Sequence, residues 1–174
     1  MESIVTVIIV VALILTAGLN IFQTYLDTQE QLMNSWQEME ERTDDRVRTD
    51  LTPISATVQN NGGLVQLTLK NNGRTSLTNF DEWDIFMQYY SSGDVYHTDW
   101  YPYTSGAPGG NQWTATIYTD AAGGIPELYE PGILNPDEEL LLQLNIAPGI
   151  ALTTTNRLTL SANNGITAST IITR

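Results

Sequence analysis

The feature that most constrains this chain is a run of nineteen residues near its start, Ile4 to Phe22, with no formal charge. Its polar members are Thr6, Thr16 and Asn20. As a helix rising about 1.5 Å per residue the run is ~28 Å long, which matches the hydrocarbon core of a bilayer. Its β-branched residues lower helix propensity in water but do not prevent a helix in apolar surroundings. Only Met1, Glu2 and Ser3 precede the run, and the first cation is Arg42. A secretory signal would carry a basic lead and a small-residue cleavage site. The positive-inside rule has almost nothing to read here, and the acidic flank at Asp27 and Glu30 favours leaving that side outside. The start therefore reads either as trimmed of a basic leader or as an unusual N-terminal anchor.

The helical pattern continues past the apolar run. Leu19, Phe22, Leu26, Met33, Trp36 and Met39 recur mostly at steps of three or four, with Tyr25 and Leu32 beside them. Asp27, Glu30, Glu38, Glu40 and Glu41 lie between. No Gly or Pro occurs between Asn20 and Thr52. The spacing predicts one helix over about residues 2–48, roughly 70 Å long. Arg42, Arg46 and Arg48 suit its C-terminus by the dipole argument, and Pro53 forbids continuation.

After residue 50 the period changes to two. Strands are expected near 52–59, 64–70, 83–90, 95–101, 112–118, 138–146, 156–162 and 166–173. Val65, Leu67 and Leu69 alternate with polar residues, as do Leu158 and Leu160, the mark of half-buried strands. Asn60–Gly63, Asn71–Gly73, Ser91–Asp94 and Asn163–Gly165 supply turns with the φ > 0 residues that tight hairpins need. The fold class is α+β: a long N-terminal hydrophobic helix over 1–50, then an immunoglobulin-like antiparallel β-sandwich over 51–174. Two long loops, 102–111 and 119–137, interrupt the sandwich, and loops of that length are often functional or interfacial.

Composition removes several functions. The chain carries 20 Asp and Glu against 7 Lys and Arg, a net charge of −13, which repels phosphate backbones and argues against nucleic-acid binding. It has no cysteine and one histidine, so thiolate metal sites and Cys nucleophiles are absent and a His-based metal site has little to build from. His97 and Asp99 share a strand face, half of a triad, but no Ser sits in a G-x-S-x-G elbow. The acidic groups Asp81–Glu82–Asp84 and Asp137–Glu138–Glu139 have calcium-like chemistry without the calcium-loop spacing; a solvated acidic face is the plainer reading. Trp83, Trp100, Trp113, Tyr89, Tyr90, Tyr96, Tyr101, Tyr103 and Tyr118 make an aromatic-rich middle. It suits core packing or subunit contact first, carbohydrate stacking second. No N-glycan sequon is present. No catalytic activity, metal or cofactor is expected.

Architecture then carries the function. A helix whose first half cannot stay in water either remains in a bilayer as an anchor or buries its apolar surface against copies of itself. Burial of one aliphatic side chain contributes about 1.5–3 kcal/mol, so a whole run exceeds what one docking interface supplies. A heterologous helix contact that does not close generates a filament. The apolar stripe beyond the membrane run, residues 22–39, fits a filament better than a plain anchor.

The chain resembles the archaellins, subunits of the archaeal swimming filament within the type IV pilin-like superfamily. The resemblance spans the whole chain. It is carried by the helix Ile4–Phe22, by Leu67-Thr-Leu-Lys-Asn-Asn-Gly-Arg-Thr-Ser-Leu77 leading to Asp84-Ile-Phe86, by Leu134-Asn-Pro-Asp-Glu-Glu-Leu140 and by Asn164-Gly-Ile-Thr-Ala168. The sandwich motifs are shared with membrane-anchored stator-type proteins of the same machine. The resemblance implies a structural subunit of an extracellular filament that polymerises through its helix for motility. It also implies a membrane-inserted precursor, leader removal by a dedicated peptidase, and assembly by an ATPase and platform proteins. The start Met1-Glu2-Ser3 departs from the small-residue start typical of archaellins, while Glu2 is similar to the N-terminal glutamate of type IV pilins, implying an ion pair to a neighbour's amine. The expected assembly interface is Glu2, Ile4, Val7, Ile8, Val11, Leu15, Leu19, Phe22 and Leu26. Two other readings stay open: a membrane-anchored stator or accessory protein whose sandwich binds the cell envelope, and an anchored glycan-binding module or enzyme.

Overall fold

A computed structural model describes the backbone of residues 2–174 and the side chains of that range other than those of Glu2 and Val5. Contacts divide the chain into two compact units, Met1–Asp44 and Asp45–Arg174.

One α-helix, α1, runs unbroken from Glu2 to Arg48. The sequence accounts for its length: no proline interrupts it, and Gly18 is its single glycine. Hydroxyls that would compete with the backbone are turned back onto the helix itself. Thr16, Thr24, Thr28, Ser35 and Thr43 each donate to the carbonyl four residues earlier, at 2.7–2.9 Å. That pattern hides hydroxyl polarity in the same way as in helices surrounded by lipid. Every described side chain from Ser3 to Arg48 is exposed.

The second unit holds nine antiparallel strands in two sheets. They are β1 (Leu51–Gln59), β2 (Leu64–Asn71), β3 (Asp84–Ser91), β4 (Val95–Tyr101), β5 (Trp113–Asp120), β6 (Ile125–Pro126), β7 (Glu139–Asn145), β8 (Thr155–Ser161) and β9 (Thr167–Thr173). One sheet is ordered β1-β2-β7-β5-β6 and the other β4-β3-β8-β9. The inner faces interdigitate as the alternation requires. Leu67, Leu69, Leu140, Leu142 and Leu144 of the first sheet meet Ile85, Met87, Tyr89, Leu158 and Leu160 of the second in one buried core. Trp83 and Trp113 are also fully buried in it.

All eight expected strands are present, with no boundary moved by more than two residues. The ninth, β6, lies inside the segment read as a loop. It has two residues, Ile125 and Pro126, too few to display an alternation, and it pairs with the end of β5; a proline is tolerated there because the strand is an edge. The rest of that loop is not all surface. Leu134 is fully buried and bridges Leu77 through reciprocal backbone bonds. Buried Asn71 anchors the same segment, its amide donating to the carbonyls of Thr75 and Leu134 while its Oδ1 accepts from Gly73.

The final helical turn belongs to this unit and is held by two of its turns. The Arg74 amide donates to the Arg48 carbonyl at 2.7 Å and the Asn72 amide to Asp50 at 2.8 Å. The first of these occupies a carbonyl that the helix end leaves without a partner, while Asp50 lies just beyond the helix. Arg46 reaches the Gly165 carbonyl, and Asn164 donates to the Thr49 hydroxyl at 2.8 Å. Gly73 is required by proximity: a Cβ there would lie 2.6 Å from the Asp50 nitrogen and closer still to the Arg48 carbonyl oxygen. Gly73→Ala therefore lowers sandwich stability by about 1–3 kcal/mol, the usual cost of forced overpacking. Denaturant unfolding measures it, and Gly110→Ala, with open space around it, is the control expected near zero.

Candidate assembly interface

At about 100° per residue, Ile4, Val7, Ile8, Val11, Leu15, Leu19, Phe22 and Leu26 fall within an arc of roughly 120° on α1. All are exposed, from Leu26 at 48% to Ile4 at 64%. The side chain of Glu2, expected in the same set, lies outside the described residues. Tyr25, Met33 and Trp36 prolong the same arc, Leu32 and Met39 lie about 20–40° beyond its edge, and the polar Gln29 and Glu40 fall within it; all are exposed. The polar members of the apolar run, Thr6, Thr16 and Asn20, project from the opposite side by the same rotation. Asp27, Glu30, Glu38 and Glu41 continue that side. The helix thus keeps one apolar face along most of its length, although its first half is apolar nearly all round. By length and composition it can cross a membrane.

His97 lies on the inward face of β4. Its Nε2 is 2.9 Å from Ser91 Oγ, and its Nδ1 is 3.9 Å from Asp99 Oδ2. The order Ser–His–Asp is that of a triad, and Ser91 is the member that sequence reading missed. The signal was available in the hairpin: pairing Ser91 with Val95 and Tyr89 with His97 brings Ser91 diagonally against His97. Yet Ser91 is 4% exposed and bridged to Ile150, so its hydroxyl has no open approach. The His97 ring stacks on Tyr89 at 4.8 Å. Here the trio satisfies polar atoms at the sandwich edge.

The acidic groups are likewise engaged locally. Asp84 accepts from Trp100 Nε1 at 2.8 Å, Asp137 pairs with Lys70 at 3.4 Å, and Glu138 and Glu139 accept from the amides of Asn135 and Ala121. Among the described residues no group of three or more His, Asp or Glu is arranged to hold a metal. In loop 127–138 the Glu127 carboxyl is held below its ordinary range by the Tyr129 amide, with the Glu130 amide adding to the effect. The aromatic middle divides in two. Trp83, Tyr89, Tyr101 and Trp113 are core, and Tyr103 packs edge-on against Trp113. Tyr90, Tyr96 and Trp100 face solvent.

Tyr101 is the most perturbed group. Its hydroxyl is buried without a hydrogen-bond partner, and burial foremost, then Tyr89 and Asp99, pushes its pKa far up. Burial raises Tyr89 as well. A phenol whose folded pKa is raised contributes stability that is complete below the unfolded value and is lost as pH rises above it. The sandwich should accordingly lose stability above about pH 10, the ordinary tyrosine value. Tyr101→Phe should be neutral or stabilising at pH 7 and should flatten that alkaline loss, read from denaturation midpoints across pH.

No protein-family model matches the chain, and a search of curated proteins finds no match. Solved structures do resemble it. The archaeal flagellum of Methanospirillum hungatei strain JF1 is 11% identical, with a TM-score of 0.58 over 97% of this chain and 90% of that one. The archaellum periplasmic stator protein FlaG from Sulfolobus acidocaldarius is 18% identical, with a TM-score of 0.52 over 71% of this chain and 99% of that one. The FlaF and FlaG stator complex of the same organism gives 17% identity and 0.52 over 70% of this chain and 87% of that one. At these identities the likeness is one of fold alone, extending over nearly the whole chain for the flagellum and over about 70% of it for the stator proteins.

Proposed function

We propose that the chain is the structural subunit of an extracellular archaellum-type filament for swimming motility, with residues 1–50 forming the core and 51–174 the outer domain. The observation that carries this reading is the exposed apolar face of α1, from Ile4 to Met39, interrupted at Gln29. A span alone accounts for the first nineteen residues of it and leaves Tyr25, Leu32, Met33, Trp36 and Met39 without a role. Packing against copies of the same helix gives every one of them a partner. The flagellum similarity adds support because it extends over nearly the whole chain, whereas the stator similarities cover about the share that the sandwich makes up.

In this reading the helix rests in the membrane before assembly and leaves it when an assembly ATPase and platform proteins drive polymerisation. Ile4, Val7, Ile8, Val11, Leu15, Leu19, Phe22 and Leu26 make the helix-to-helix contacts. Glu2 pairs with the amine of a neighbouring subunit. The second reading, a membrane-anchored stator or accessory protein whose sandwich binds the envelope, is favoured by the two sandwich-level similarities.

Shearing of cells separates the two. A filament subunit is abundant in the sheared, cell-free pellet, and a stator stays with membranes at low copy. Val11→Asp places a charge in the helix contacts and is expected to abolish filaments while the sandwich keeps its wild-type unfolding transition. Normal filaments from Val11→Asp would overturn the core assignment.

A further inference from the structure

The outer face of the β4-β3-β8-β9 sheet differs from the rest of the surface. Phe86 stands opposite Trp100 and Tyr90 opposite Tyr96 across the β3–β4 pair. These four rings are 39–53% exposed, an arrangement of large apolar groups in water that calls for an explanation. The two pairs are four residues apart along the strands, about 14 Å. Gln88 and Thr98 lie between them, with Arg157 of β8 beside Gln88. The rings are held in place: Trp100 Nε1 donates to Asp84, and the Tyr90 and Tyr96 rings pack at 5.1 Å.

Charge is the second observation. Asp84 and Arg157 are the charged residues of this face, one of each sign, and the remaining outward positions of β8 and β9 are Thr, Ser and Ile171. All of the chain's net charge of −13 therefore lies elsewhere. An electrically neutral platform on a strongly acidic molecule suits an uncharged ligand and gives no attraction to a cationic partner. The apolar groups are also split by a hydrophilic band, unlike the continuous apolar centre of a protein interface.

We propose that this face binds a linear, uncharged polysaccharide. Sugar rings stack their C–H faces on Trp100 and Phe86 at one end and on Tyr90 and Tyr96 at the other. Gln88, Thr98 and Arg157 hydrogen-bond the hydroxyls between. The spacing requires several sugar rings, so single sugars bind poorly.

The test is co-sedimentation of the full-length protein, in detergent, with insoluble cellulose, chitin and mannan, with calcium alginate beads as the charged comparison. Retention on at least one neutral polymer and not on alginate is expected. The Tyr96→Ala/Trp100→Ala double variant should bind about tenfold more weakly or worse, the loss expected for two stacking rings, with unchanged near-UV circular dichroism. Should the double variant fail to fold, Tyr96→Ser alone, at an exposed position, carries the same comparison. Absence of retention on all three neutral polymers, equal retention on alginate, or full retention by the folded variants would overturn the proposal. A variant that lowers the oligomeric size of the protein without any glycan retention would assign the face to a second copy of the chain and would overturn it too.

Discussion

A helix that is apolar nearly all round, over a length that matches a bilayer, has no stable place in water. The rest of the molecule follows from how that surface is covered. Each exposed aliphatic side chain between Ile4 and Phe22 represents about 1.5–3 kcal/mol gained on full burial, and the run as a whole outweighs any single side-chain contact described in the sandwich. The helix is prepared for a dry setting: Thr16 bonds its own backbone at Ala12, and the polar residues of the run share one side. Bilayer and helical polymer are the two environments that meet these requirements, and moving from the first to the second needs no refolding of the helix.

The sandwich contributes a second constraint, at the helix end. The Arg74 amide caps the Arg48 carbonyl of the last turn and the Asn72 amide holds Asp50 just beyond it, while Asn164 and Gly165 take Thr49 and Arg46. These positions fall within the sequence motifs that carry the archaellin resemblance. Their spacing had suggested hairpin turns alone. Residues 163–165 do form the β8–β9 hairpin, but 71–73 joins strands of different sheets, and there the Gly73 turn approaches the backbone of Arg48–Asp50 too closely for any side chain.

Most of the architecture was legible in the sequence because it rests on periodicity. The 3.6 and 2 periods located α1 and eight strands, and the turns at 60–63, 91–94 and 163–165 placed three hairpins; the turn at 71–73 instead joins strands of different sheets, with none of its residues at positive φ. What was not legible lacks a period. The two residues of β6 carry no alternation. Leu134 is buried from within a loop, held by Asn71 through contacts 63 residues distant along the chain. Ser91 meets His97 only once the β3–β4 register is known. Likewise the aromatic residues read as a single group, and only the register sorts Tyr89 and Tyr101 inward from Tyr90, Tyr96 and Trp100 outward. The apolar arc of α1 was legible in outline, as a list of positions, because it depends on helical geometry alone.

The central claim is that the apolar face of α1 is buried against copies of itself. The chain has no cysteine, so a single Val11→Cys substitution reports directly on that burial. Sheared, cell-free filaments carrying it would be treated with a water-soluble maleimide, with Ser169→Cys on the exposed sheet face as reference. The account predicts that Cys at position 169 is labelled in intact filaments and Cys at position 11 only after depolymerisation. Labelling of position 11 in intact filaments, or recovery of the protein from the membrane fraction alone, would contradict it.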